Sequence, residues 1–111
     1  MKIAIPTQAH PIDLKSVSCQ VNGVSLDRGE RVIDFSATLS LDDIRDAVHR
    51  LTTEYQYDYF CPTIITTSME VYRHNLRLFA EAMKCEWGAP ILGVHLEGPV
   101  LNRSCIGAHP V

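Results

Sequence analysis

The sequence lacks the features that would assign it to a membrane, secreted or nucleic-acid-binding class. No apolar run reaches the length of a membrane-spanning helix, and the start has no long apolar core of a secretory signal. The basic residues are scattered and the net charge is −3 with histidine neutral. A basic stripe for nucleic acid or an anionic membrane is therefore missing. We expect no nucleic acid partner, no membrane partner and a cytoplasmic location.

Paired cysteines are also lacking. Cys19, Cys61, Cys85 and Cys105 are scattered, and none forms a C-x-x-C pair. This spacing argues against a zinc finger and indicates reduced thiols of an intracellular protein. Hydrophobic residues make up 46% and charged residues 21% of the 111 residues, which is an ordinary globular balance. The length fits one small domain or a piece of a larger one.

Two helices are predicted in the second part of the chain, after a poorly patterned start over residues 1–36. Apolar residues at helical spacing predict a helix over residues 41–55, with Ser40 as its N-cap. A second helix is expected to begin after Ser68 and to end near Lys84. The predicted buried faces are Leu41, Ile44, Ala47, Val48, Leu51 and Tyr55 in the first helix, and Tyr72, Leu76, Phe79 and Met83 in the second.

Two strands are predicted around the second helix. Residues 57–67 are aromatic and β-branched, and Pro62 is expected to limit how this strand pairs. Residues 90–96 form a short, continuous apolar run, which is typical of a strand buried on both faces of a parallel sheet. With an earlier strand near residues 20–23, the order alternates strand and helix. This order predicts an α/β fold with a parallel sheet, either open or closed into a barrel.

Glu97 is the most informative candidate for chemistry, because it directly follows the apolar strand. From spacing alone, we favour a turn carboxylate that accepts backbone N–H bonds before Gly98. The alternative is a metal ligand, since a carboxylate on a rigid strand suits a hard or borderline cation. His95 lies two residues earlier and should face the same side. It could share a metal with Glu97, but a strand histidine is more often a satisfied core residue.

Other polar residues near predicted strand ends have two interpretations each. Gln20 and Asn22 would share a face in an extended segment, and their amides could bind a substrate or a water. Polar loop residues usually do neither. His109 follows Gly107 in a loop, where a surface histidine is the simpler interpretation. An unrelated small metal-binding protein would need His95, Glu97 and His109 to bind a metal unaided.

Several motifs together resemble the N-acetylglucosamine-6-phosphate deacetylase family of the amidohydrolase superfamily. The resemblance covers residues 40–111 well, and shorter pieces, including residues 11–14, 20–23 and 34–36, also look like family segments. Its main motifs are Phe60-Cys61-Pro62-Thr63, His95-Leu96-Glu97-Gly98-Pro99 and Gly107-Ala108-His109-Pro110.

The resemblance implies a fold and a reaction. The fold is an α/β partial (β/α)8 TIM barrel of the metal-dependent amidohydrolase type, with about the first three βα units present. Residues 1–111 would form a single truncated domain, in which residues 1–36 contain the first barrel strand and residues 37–111 the βα units. The reaction is hydrolysis of the acetamide of N-acetylglucosamine 6-phosphate, an amino-sugar phosphate, to glucosamine 6-phosphate and acetate.

The resemblance also implies roles for individual residues. The glutamate that matches Glu97 binds a divalent metal ion, often zinc, together with two later histidines, and a later aspartate serves as general base and acid. Ala108 and His109 match the loop that contacts the sugar phosphate. Gln20 and Asn22 match the end of the first strand, where Gln and Asn mark the one-metal type of the family.

The chain departs from the family pattern in two respects. It ends at Val111, before the two histidine ligands and the catalytic aspartate, so we expect no catalytic residue within it. Residues 15–19 and 25–33 are extra stretches beside the first strand end. We therefore expect the first part of a deacetylase whose parent is a homo-oligomer, and an inactive isolated chain. The alternative is an inactive truncated product that acts as a binding or interaction fragment.

Overall fold

The computed structural model describes residues 2–5, 19–21, 24–28, 33–100 and 104. Within these ranges, two helices and six strands are present. The helices are α1 (Leu41–Thr53) and α2 (Met69–Lys84), and a 3₁₀ turn (Glu86–Gly88) follows α2. The strands are β1 (Lys2–Ile5), β2 (Cys19–Val21), β3 (Val24–Arg28), β4 (Tyr59–Phe60), β5 (Thr63–Ile65) and β6 (His95–Glu97).

The described strands form two small sheets. The larger has the order β2-β3-β1-β4, in which β1 pairs in parallel with β3 and β4, while β2 is antiparallel to β3. The smaller contains β5 and β6 in parallel, and α2 connects them along the chain. The predicted α/β class with parallel pairing is confirmed. The antiparallel β2–β3 pair differs from the purely parallel arrangement that we expected.

Helix α1 begins where the sequence predicts, because Ser40 forms a capping box. The Ser40 hydroxyl accepts from the Asp43 backbone N–H at 3.2 Å, and the Asp43 carboxylate accepts from the Ser40 backbone N–H at 2.8 Å. Ile44, Ala47, Val48 and Leu51 are buried as predicted. Leu41 is 38% exposed, so its prediction as part of the buried face is wrong. The first turn of the helix lies at the edge of the core.

The capping box predicts a pH dependence of stability. The pKa of the Asp43 carboxyl lies below its ordinary value of 3.8, because the Ser40 backbone N–H and then the Ser40 hydroxyl bond to it. A carboxyl with a lower pKa in the folded state stabilises the fold above its unfolded pKa and loses this effect as the pH falls through the folded value. Asp43→Asn should therefore flatten the acid side of the stability profile, measured by denaturation at several pH values. Asp42→Asn, outside the capping box, is the control and should keep the wild-type slope; equal profiles for both variants would contradict the prediction.

Helix α2 begins at the predicted cap, but its buried face is shifted. The Ser68 hydroxyl accepts from the Val71 N–H at 3.2 Å. Tyr72 and Phe79 are buried as predicted, whereas Met83 is 43% exposed and its assignment to the buried face is wrong. Ala82 is fully buried instead, because the chain turns back closely over it. A Cβ added at Gly88 would lie 1.8 Å from the Ala82 carbonyl oxygen, so only glycine allows this close approach at position 88.

The strand predicted over residues 57–67 is divided at Cys61 and Pro62. An isolated parallel bridge joins Phe60 to Ile91, and the β5–β6 ladder begins with Thr63 opposite His95. Between these two pairings, the first segment therefore has two residues, 61 and 62, whereas the second has three, 92–94. Pro62 has no N–H for a regular ladder, although its carbonyl accepts from the His95 N–H at 2.9 Å. The expectation that this proline limits pairing is confirmed.

The apolar run over residues 90–96 is not buried on both faces. Ile91 is 4% exposed, but Leu92 and Leu96 are 51% and 43% exposed. The prediction of a strand buried on both faces is therefore wrong. The extra residue opposite Pro62 changes the alternation of side chains, so that only part of the run faces the core.

The core of the described region lies between the two helices and the strands β4 and β5. Phe35 extends it, since its ring centroid is 5.6 Å from that of Phe79. Neither helix in the described part of the chain has the length and apolar character of a membrane span. The buried hydrophobic residues are Leu39, Ile44, Ala47, Val48, Leu51, Tyr57, Phe60, Ile64, Tyr72, Phe79, Ala82 and Ile91.

Candidate functional site

The carboxyl ends of β5 and β6 lie side by side and form the candidate site. The ladder pairs Ile65 with Glu97, so the last residues of both strands are in register. Parallel pairing directs both strand ends to the same edge of the sheet, where β/α folds hold their functional groups. Glu97 is half-buried at this edge. The predicted position of Glu97 at a strand end is therefore confirmed.

A close contact holds the two strand ends together. Gly98 has φ +113°, a conformation that L side chains rarely adopt, and a Cβ added there would lie 2.2 Å from the Thr66 Oγ1. Only glycine allows the chain after Glu97 to pass so close to Thr66. The Glu97-Gly98 step therefore fixes the carboxylate-bearing residue against the end of β5.

His95 shares a strand with Glu97 but is not a core residue. Its side chain is exposed, and its Nδ1 lies 3.4 Å from the Thr63 hydroxyl across the ladder. The interpretation of His95 as a satisfied core histidine is therefore wrong. Strand alternation puts His95 and Glu97 on the same side, as expected. Among the residues with described side chains, no group of three His, Cys, Asp or Glu could hold a metal ion.

The remaining predicted site residues are not brought to this edge by the described structure. Gln20 lies in β2, which β3 and β1 separate from β4 in the larger sheet. Asn22, Ala108 and His109 lie outside the described residues. Their assignments stay predictions.

Two residues that the sequence did not single out support the strand ends. The Ser36 hydroxyl accepts from the Ile65 N–H at 3.0 Å. Asn75 is 0% exposed and bonds to the backbone of the segment that carries Ser36. A signal for Asn75 was present, because it is a polar residue on a helical row with Tyr72, Phe79 and Ala82. No comparable pattern marks Ser36.

Two cysteines have side chains that the structure describes, and both are partly buried. Cys61 and Cys85 are free thiols, as predicted from their spacing. Burial raises the pKa of the Cys61 thiol, so it stays protonated at neutral pH.

Comparison with curated proteins found relatives that share one name. Over 95 residues, the chain is 35% identical to the N-acetylglucosamine-6-phosphate deacetylase of Bos taurus and 33% identical to that of Homo sapiens. Each match covers 85% of this chain but only 22% of the relative. Over 51 residues, it is 43% identical to the protein of the same name from Caenorhabditis elegans, which covers 46% of this chain and 12% of that relative.

The resemblance predicted from the motifs is therefore confirmed. The chain spans 22% of the length of its mammalian relatives, which agrees with the expected correspondence to the N-terminal part of such a protein. No family model matches the chain. The search of solved structures found no significant match either.

Proposed function

We propose that this chain, a relative of the N-acetylglucosamine-6-phosphate deacetylases, carries the first part of the site of a metal-dependent amide hydrolase. The substrate would be N-acetylglucosamine 6-phosphate, and the products glucosamine 6-phosphate and acetate. One observation carries the proposal beyond the likeness to relatives. A half-buried carboxylate, Glu97, lies at the paired ends of two parallel strands.

The fold that we propose for the parent protein is a (β/α)8 barrel of the amidohydrolase type. The described unit β5-α2-β6 supports it, because two parallel strands joined by a helix are the repeating element of such barrels. This chain would contribute about the first three units. In a barrel, the edge that holds Glu97 would be the face where active sites occur.

Glu97 would be one direct ligand of a divalent cation, and zinc fits a ligand set of carboxylate and imidazole. The described residues hold one carboxylate at this edge rather than a complete ligand set. When bound, the ion supplies activation of water and polarisation of the amide carbonyl. Ala108 and His109 would contact the sugar phosphate, and Gln20 and Asn22 would line the one-metal side of the site.

A chimera tests the role of Glu97. The 95 matched residues of this chain would replace the aligned segment of the Bos taurus relative, so that the rest of that protein completes the site. Changes to residues that merely orient a ligand cost about 10- to 100-fold in metal affinity, so Glu97→Gln should cost at least about 100-fold. Zinc content after dialysis and acetate release measure the result. The 111-residue chain alone should release no acetate, because one carboxylate cannot complete a four-coordinate zinc site.

His95→Gln is the matched control for Glu97→Gln. It changes an exposed side chain on the same strand, two residues away, and removes a contact to Thr63 at 3.4 Å. The control chimera should keep its zinc and its activity. A Glu97→Gln chimera that retained zinc as well as the control does would contradict the proposal.

A second candidate function is supported by the exposed apolar residues of the last strand region. Leu92 and Leu96 are 51% and 43% exposed, and such side chains suit contact with another polypeptide. In this proposal, the chain acts as a binding or interaction fragment without catalysis. A folded chimera that neither binds zinc nor releases acetate would favour this function over the first.

A further inference from the structure

The Ser36 hydroxyl bonds to the backbone at the end of β5. It accepts from the Ile65 N–H at 3.0 Å and lies 3.5 Å from the Ile65 carbonyl oxygen. The Tyr72 hydroxyl donates to the same carbonyl at 3.0 Å. Both backbone groups of Ile65 are therefore bonded to side chains. Because Ile65 is the register partner of Glu97, these bonds fix the strand position beside the carboxylate.

Ser36 is itself held by helix α2, through the segment of residues 35–39, here called the anchor segment. The Asn75 Nδ2 donates to the carbonyl oxygens of Phe35 and Ala37, the two neighbours of Ser36, at 2.9 and 2.7 Å. Its Oδ1 accepts from the Leu39 N–H at 3.1 Å. With 0% exposure, Asn75 exchanges none of these bonds for water. The anchor segment thus has a fixed position on the helix.

We propose that Ser36 is a positioning residue for Glu97. The structure links α2 to the anchor segment, the Ser36 hydroxyl to the Ile65 backbone, and Ile65 to Glu97. A metal ligand must keep its place within about 0.5 Å for a productive site, and the residues that support it control this precision. The inference rests on the proposed role of Glu97 as a metal ligand. It assigns to Ser36 no contact with metal or substrate.

Amide hydrogen exchange of the 111-residue chain, followed by NMR, tests the structural half of the proposal. Ser36→Ala leaves the Ile65 N–H without its hydroxyl partner, and the exchange of that amide should become about tenfold faster. The signals of Glu97 and Gly98 should shift as well. Ser36→Thr keeps the hydroxyl and should restore both readouts. Ser68→Ala, which removes the cap of α2, is the control for a general loss of stability.

A general loss of stability would accelerate exchange throughout both helices, as expected of the Ser68→Ala control, and would not single out Ile65 and Glu97. Uniform acceleration, or an unchanged Ile65 amide, would therefore overturn the proposal. The chimera supplies a second measurement that does not depend on the chain folding alone. There, Ser36→Ala should lower zinc affinity about tenfold and Ser36→Thr should preserve it.

The two proposals can fail separately in the chimera. If the chimera binds zinc through Glu97 but Ser36→Ala leaves the affinity unchanged, the positioning role is wrong and the proposed function remains. If the chimera without further substitutions binds no zinc, the proposed function fails and Ser36 has no metal ligand to position. In that case, a locally faster Ile65 amide would still identify the Ser36–Ile65 bond as a structural feature alone.

Discussion

Asn75→Ala is expected to lower the free energy of unfolding by about 3 kcal/mol, a large part of the stability of a small domain. The side chain is 0% exposed and makes three hydrogen bonds to the anchor segment. Alanine removes all three partners and leaves the N–H of the buried Leu39 without the acceptor at 3.1 Å. A buried polar group that loses its partner keeps the full penalty of its removal from water.

His74→Ala is the control for this prediction, because His74 neighbours Asn75 on the same helix and also bonds to the anchor segment. Its Nε2 lies 2.7 Å from the Leu39 carbonyl oxygen, but the side chain is exposed. Water can replace that bond, so the loss should stay below about 1 kcal/mol. Chemical denaturation of both variants measures the difference. If Asn75→Ala destabilises the chain no more than His74→Ala does, the anchor segment is not held mainly by Asn75.

The helices could be predicted from the sequence because their signals are local. Ser40 and Ser68 lie directly before the first turns that they cap, and both caps are present in the structure. The periodicity also identified most of the buried face of α1. In α2, the periodicity failed at Met83. The 3₁₀ turn approaches α2 closely at Gly88, and helical spacing carries no signal for such a tertiary contact. A helical row with Ala82 faces that turn instead.

The strands were harder to predict because pairing depends on distant residues. Pro62 was recognised as an obstacle, yet the sequence did not indicate that the strand would divide there and shift its register against residues 91–95. Continuous apolar composition suggested burial on both sides for residues 90–96. Which side chains face the core depends on that register, so Leu92 and Leu96 were assigned wrongly.

Part of the candidate site could be predicted because, as in the helices, its signal is local. Glu97 and Gly98 follow an apolar strand directly, and this local pattern indicated a strand end. Ser36 contacts Ile65 across 29 positions of sequence, and Asn75 contacts Leu39 across 36. The helical row of Asn75 indicates that it is buried but not which backbone groups it bonds to, and no pattern marks Ser36, so the link from both residues to Glu97 became visible only in the fold.

Gly98→Ala is expected to lower the free energy of unfolding by about 2–4 kcal/mol, since a strained backbone and an overpacked contact each cost about 1–3 kcal/mol. Gly98 has φ +113°, and the new Cβ would meet the Thr66 Oγ1 at 2.2 Å. Either the Thr66 side chain or the strand ends must shift to relieve this contact, and a shift of the strand ends moves Glu97 away from its position beside Ile65. In the chimera, the variant should therefore also lose zinc.

Gly93→Ala is the matched control, because it makes the same change five residues earlier in the same segment. A Cβ at Gly93 meets no atom within 4 Å, so the effect on stability should stay within about 0.5 kcal/mol. Thermal or chemical denaturation compares the two variants. Equal stability of Gly98→Ala and Gly93→Ala would contradict the close approach of the two strand ends.

A double variant separates the two causes of the Gly98→Ala effect. Thr66→Ala removes the Oγ1 and leaves the Thr66 Cβ, at 3.3 Å, as the nearest remaining side-chain atom. The contact is then eased to one that needs a shift of only a few tenths of an ångström, while the backbone strain at φ +113° persists, so Thr66→Ala should recover part of the stability lost in Gly98→Ala. Thr66→Ser keeps the Oγ1 and should recover none. Equal recovery by both substitutions would mean that the hydroxyl is not the obstacle, and that backbone strain alone makes glycine necessary after Glu97.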